Sequence, residues 1–343
     1  MTRLAPRTVI VGAATIALLA VGLTAFGDAS ATVRGTLARG ATAAGTIFVS
    51  NNGGSTITAY PLTASGNVKP AITISKGIAG ANGDIFDSSG DLWVANGNSN
   101  AVFDYTPAEL AKASPKPSVT ISSDRANSFN DVTHLAIDRA GDLWADNMGS
   151  STVVEYTKAQ LAHSGSPTPH VTITADAKGS LNAPAGDTFD ASGDLWVAQN
   201  AGEAVVEYTP TQLARSGPET PAVTISTPHI NAAGVAFDAE GDLWVANSGG
   251  FAVVEYAKNK LATSGKPAPT VTISASPASN TLSGPVGLLF DASGDLWVTA
   301  QDANGVLEFS PSQLAKSGSP KAIRSIVGPN TGLADPVSLA IRR

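Results

Sequence analysis

Asp84, His134 and Asp187 are the side chains of this 343-residue sequence best suited to chemistry. A histidine among carboxylates can hold a divalent metal ion or take up and return a proton. Each of the three stands three or four residues ahead of a turn aspartate, Asp87, Asp138 or Asp190. Equivalent places elsewhere carry Gly83, Gly186, Gly234 and Gly287, or the apolar Leu135, Val235, Leu288 and Leu339. Charge where kindred segments carry none must be hydrated, paired or coordinated. A second set, Asn51, Asn96, Asp146, Gln199 and Asn247, closes five short apolar runs, and Ala300 closes a sixth. Converging amides and a carboxylate could bind a ligand, but the same residue types also satisfy the backbone of tight turns.

Other chemistries find little support. The chain has no cysteine, hence no thiolate nucleophile, disulfide or lipid-attachment residue. No Ser-His-Asp spacing or phosphate-cradling glycine loop stands out. His163 and His170 fall in connections remote from the three residues above, and His229 falls in a loop that could approach them. Charge is −7 with no long run of either sign, which argues against a nucleic-acid partner.

The elements that position these residues follow from a repeat. All five tryptophans sit in the motif Gly-Asp-Leu-Trp, at Trp93, Trp144, Trp196, Trp244 and Trp297, with intervals of 51, 52, 48 and 53 residues. One unit holds four strand-like runs: 234–237, 243–246, 252–256 and 270–274, here strands a, b, c and d. All are short and rich in β-branched and aromatic residues, with turn residues between them. Four strands per repeat of about fifty residues is the composition of a propeller blade. An Asp-x-x-Gly-Asp turn joins a to b in every complete unit, and its aspartate is read as a turn-holder rather than a calcium ligand. Ser/Thr-Pro-x-x-Leu at 106–110, 209–213 and 310–314 predicts one helical turn between c and d, with Ser-Gly after it as a stop.

The first unit begins at strand b (47–51) and lacks strand a, while Pro336–Ile341 supplies a spare strand a at the other end. The expectation is an all-β fold, a six-bladed β-propeller of four-stranded blades, closed by the C-terminal strand pairing with the first blade. Strand a then lines the central tunnel, so Asp84, His134 and Asp187 lie on the innermost strands of three consecutive blades. The d–a and b–c connections share one end, the top, where loops vary most and where binding is expected.

Residues 1–31 read as a secretory signal peptide: a basic start at Arg3 and Arg7, an uncharged apolar run over 8–26, then Ala29-Ser30-Ala31. The apolar run is also long enough for an uncleaved membrane anchor. Residues 32–44 form an Ala/Thr/Gly-rich linker, and residues 45–343 the propeller. The mature protein is expected to be secreted or to sit in the cell envelope.

The Asp-x-x-Gly-x-Leu-Trp-Val-Ala-Asn pattern resembles the NHL-repeat and regucalcin/gluconolactonase-like six-bladed propellers, and residues 47–60 are similar to the related YVTN-type repeat. The resemblance spans residues 45–343 and implies architecture more than activity. It implies either a non-catalytic scaffold that binds a small molecule, carbohydrate or protein at its top face, or an enzyme. Gluconolactonase-like members use a central divalent metal with acidic and Asn ligands, for which Asn96, Asp146 and Asn247 are candidates here. Streptogramin-lyase-like members use histidines with a nearby acid, for which His134 and His229 are candidates. A purely structural envelope protein is the third expectation.

Overall fold

A computed structural model describes residues 45–226, 231–275 and 282–342. The expected signal segment, the linker and His229 lie outside these residues. The described chain forms six antiparallel four-stranded blades arranged as a ring, with strand order a-b-c-d in each. The a strands are Pro336–Arg342 in blade 1, then Ala81–Phe86, Val132–Ile137, Pro184–Phe189, Ala232–Phe237 and Pro285–Phe290 in blades 2 to 6. The b strands, in the same order, are Thr46–Asn51, Leu92–Asn96, Leu143–Asn147, Leu195–Gln199, Leu243–Asn247 and Leu296–Ala300. Observed strands differ from the expected ones by one or two residues at their ends.

Closure is as expected. Strand a of blade 1 pairs antiparallel with its strand b, with Ile47 opposite Ile341 and Val49 opposite Leu339. One sheet is thereby assembled from both ends of the propeller, and no a–b edge is left open.

The turn motif works through one carboxylate. Asp87 Oδ1 accepts from the N–H groups of Ser89 at 2.8 Å and Asp91 at 3.0 Å, and Oδ2 accepts from Trp93 Nε1 at 3.2 Å. Gly90 has φ +82°, a conformation that costs glycine little. The tryptophans are buried and reach across to the next blade: Trp144 meets Phe189 edge-on at 6.1 Å, Trp196 meets Phe237 at 5.9 Å and Trp244 meets Phe290 at 5.9 Å. Such edge-on aromatic contacts add to the burial of both rings. In blade 1 Phe48 stands in the tryptophan's place and packs on Phe86.

Near the axis, glycine lets neighbouring a strands touch backbone to backbone. A Cβ on Gly186 would lie 2.5 Å from the Ala233 carbonyl oxygen, and one on Gly234 would lie 2.1 Å from that of Val286. Among the six equivalent places only His134 and Ser338 carry a side chain.

Candidate axial site

The a-strand side chain at the glycine place of each blade points at the following blade. The next residue along points back at the preceding one. Each joint between blades therefore gathers three positions: the glycine place of strand a, the residue paired with it on strand b, and the back-pointing residue of the next blade.

At three joints these positions are small or apolar, as with Gly186, Ala198 and Val235. Between blades 6 and 1 the buried Thr299 hydroxyl accepts from the Gly287 N–H at 2.7 Å. Two joints carry ionisable groups. Between blades 3 and 4, His134 pairs across the ladder with Asp146, and Asp187 points back at both. His134 Nδ1 lies 2.9 Å from Asp187 Oδ1. Between blades 1 and 2, Ser338 pairs with Ser50, and Asp84 points back at them. The Ser338 hydroxyl oxygen accepts from the Asp84 N–H at 3.2 Å.

Burial sets the electrostatics. Asp84, Asp146 and Asp187 are almost wholly enclosed, while the His134 side chain is 23% exposed. Burial pushes the Asp84 carboxyl up to about 7, and the Ser338 and Ser50 hydroxyls and His134 pull it back only in part. Burial raises Asp146 strongly, and the adjacent Asp187 charge raises it further. Asp187 is raised by burial and drawn down by His134. Two carboxyls so close cannot both ionise cheaply, so Asp146 is the one that keeps its proton. His134 Nδ1 thus faces both the Asp187 carboxylate and, at 3.4 Å, the Asp187 N–H, while its partly exposed ring is the polar group of the joint that meets solvent. The Asp146 oxygens and Asp187 Oδ2 make no hydrogen bond of good geometry, nor do those of Asp84.

The arrangement can orient an imidazole and store a proton beneath it. As a metal centre it is less complete. Asp84, His134 and Asp187 do not bring three ligand atoms within 4.8 Å of one another. Asp84 reaches the other joint instead, so these three residues do not form a common cradle for a metal ion.

The expected polar ring needs one correction of register. The blade 3 residue equivalent to Asn96 and Asn247 is Asn147, which pairs with Thr152 as Asn96 pairs with Ala101. Asp146 lies one residue earlier and faces the joint with His134. The ring amides are occupied by backbone. Asn96 accepts from Ala79 N–H and donates to the Gly77 carbonyl, and Gln199 accepts from Asn182 N–H and donates to that of Ser180. Asn51 donates to Val49 and accepts from Ala334, and Asn247 accepts from Gly250 N–H. This is the turn-holding role of such residues.

Phe251 was not anticipated. It occupies the left-handed region at φ +50° in the top b–c turn of blade 5, and it is 46% exposed. A bulky side chain is strained there and an exposed one gains little burial, which marks the top face for attention. Its signal in the sequence is that Asn100 and Asn304 stand at the same place in other blades.

The opposite end carries acids of a different kind. Strand c repeats Asp104, Glu155, Glu207, Glu255 and Glu308 opposite the five tryptophans. Asp138, Asp142 and Glu155 converge within 4.8 Å, as do Asp291, Asp295 and Glu308. His170 holds Glu155 at 2.8 Å and Arg324 holds Glu308. A groove of about 410 Å³ between blades 3 and 4 includes Asp138, Trp144, Glu155 and Phe189 in its walls. Because these acids recur in five blades, they belong to the scaffold rather than to one site.

No family model matches the chain, and no curated protein matches it. Solved structures do. A streptogramin B lyase is similar with a TM-score of 0.53 at 15% identity, over 73% of this chain and 70% of that one. A protein of unknown function from Bacteroides caccae reaches 0.61 at 12% identity, over 88% and 99%. A chain of a nidogen/laminin complex reaches 0.61 at 12%, over 87% and 97%. These neighbours are six-bladed β-propellers, and at such identities the likeness is one of fold.

Proposed function

We propose that this chain is an exported, NHL-like propeller that binds a small molecule or carbohydrate at its top face, with His134 as the group that meets the ligand. The observation carrying this reading is the His134–Asp187 pair at one joint of six. The carboxyls are sealed from solvent, so the imidazole alone can present their chemistry. Exposed Phe251 supplies an apolar contact on the same face. Export rests on the order of charge, apolar run and Ala-x-Ala in residues 1–31, and N-terminal sequencing of secreted protein should begin near Thr32.

A second reading is a proton-transferring lyase. It is favoured by the oriented imidazole over a buried acid, and by the likeness to a virginiamycin B lyase from Staphylococcus aureus solved with quinupristin. Calorimetry of the wild type, His134→Ala and Asp187→Asn against sugars, lactones and quinupristin separates the readings. Binding lost in both variants without turnover supports a binder. Consumption of quinupristin that vanishes in both variants supports the lyase. Binding that neither substitution changes removes the axial site.

A further inference from the structure

The outer edges of the blades are clasped. In blade 2 the outer-strand Thr120 N–H donates to Ser164 Oγ at 3.0 Å. Gly165 N–H donates to the Thr120 carbonyl at 3.0 Å, and the Gly165 carbonyl accepts from Ser122 N–H at 2.8 Å. Ser164 and Gly165 belong to blade 3, so a Ser-Gly pair adds one parallel rung to its neighbour's edge. The same rung recurs as Gly217 on Ile173, Gly265 on Ile225, Gly318 on Ile273 and Gly66 on Ile326. The Ser-Gly read from sequence as a helix stop is therefore a clasp between blades.

Among the described residues, blade 1 has none. Its outer strand, Ile72–Ile74, should be clasped by the c–d connection of blade 2. Val119 follows Leu110 at a separation of nine, where the equivalent separation elsewhere is ten, as between Leu161 and Val171. Ala113 stands where Ser and Gly should be. No described residue pairs with the outward N–H and carbonyl of Thr73 or the N–H of Ser75. Thr73 is exposed, whereas Thr120, Thr172, Thr224 and Thr272 are half-buried.

We infer that this edge receives an extended segment of another protein, carrying Ser-Gly in parallel register and acidic flanks. The clasps show what fits the edge: in four of the five a serine hydroxyl accepts from the threonine N–H, and in all five a glycine whose missing side chain allows close approach. Lys69 and Lys76 are exposed on either side of the open strand, which sets the charge of the flanks. They also disfavour two copies pairing edge to edge, since each lysine would meet a lysine. The five clasps of a second copy are already engaged. Adding a strand to an open edge is an established mode of peptide recognition.

The test uses the full chain and two synthetic probes, Glu-Ala-Thr-Ser-Gly-Ser-Pro-Glu and the same peptide with lysine at both ends. The acidic probe should bind saturably and slow exchange of the Thr73 and Ser75 amides about tenfold. The lysine probe should bind at least about tenfold more weakly, a gap that narrows with salt. Changing Ala113→Ser with a glycine inserted after it should close the edge, raise the melting temperature and abolish probe binding. Thr73→Pro removes only the outward donor, and should weaken the probe while leaving the fold intact. Equal binding to the clasped variant overturns the inference, as does free exchange of both amides at saturating probe. Protection of both amides before any probe is added also overturns it. Gel filtration then shows whether a second copy or the chain's own preceding segment covers the edge.

Discussion

The joints between blades 3 and 4 and between blades 1 and 2 use the same three positions for opposite ends. In the joint between blades 1 and 2, a carboxyl faces two hydroxyls, both buried. In the other, a carboxyl faces an imidazole and a second carboxyl, and the imidazole is partly exposed. Both bury an acid at the axis, and only the second gives that acid an outlet. Burying a carboxyl is therefore not what makes a site here, since its partner decides whether the charge is stored or presented.

The sharpest break of this comparison removes one joint. Deleting residues 336–343 takes Ser338 and the whole closing strand, with the buried Leu339 and Ala340. The loss should be several kcal/mol, enough to abolish a single cooperative melt. Chemical denaturation of the two chains measures it, and a truncated protein melting within about two degrees of the full one would refute closure.

Next comes the pH dependence of the silent joint. Asp84 is raised in the folded state, so folding favours its protonated form. Its ionisation therefore costs stability as pH climbs from the ordinary 3.8 through about 7. Asp84→Asn should match the wild type at pH 4 and exceed it at pH 8, by at most on the order of 4 kcal/mol. Asp104, Glu207 and Glu308 are also pushed up to about 7, so only the difference between variant and wild type isolates Asp84.

A smaller effect distinguishes the partners. His134→Gln should cost about 2 kcal/mol near pH 7 and more as pH rises, because Asp187 loses the group that favours its charge. Ser338→Ala should cost about 1 kcal/mol, because Asp84 is mostly protonated wherever that hydroxyl matters least. Equal losses at every pH would show the two joints to be alike. The smallest change lies off the axis: Phe251→Gly relieves the left-handed strain and should add up to about 1 kcal/mol without moving either joint.

Much of this was legible because the repeat supplies its own control. The Gly-Asp-Leu-Trp motif locates strand b five times, and the missing first strand a predicts closure by Pro336–Ile341. His134, Asp84 and Asp187 emerged as departures from that repeat. Asp146 reads one residue out of step because Ala-Asp-Asn in blade 3 replaces Val-Ala-Asn, and two polar residues in a row hide which faces the joint. The metal reading could not be settled by sequence, since it turns on Asp84 pointing at blade 1 rather than at His134. The missing clasp was invisible for another reason. A one-residue shortening beside Ala113 passes for loop variation until its partner in the preceding repeat is seen.

Closure by the last strand also has a consequence in time. Ala340 pairs with Phe48, so some 290 residues of synthesis separate the two halves of one sheet. At ribosomal speeds that is a wait on the order of tens of seconds, during which Thr46–Asn51 offers a bare edge to any passing strand. The growing chain is in this sense an open necklace whose clasp is made last. Moving residues 336–342 ahead of Gly45 by circular permutation should shorten that exposure and reduce aggregation during synthesis, leaving the finished ring the same.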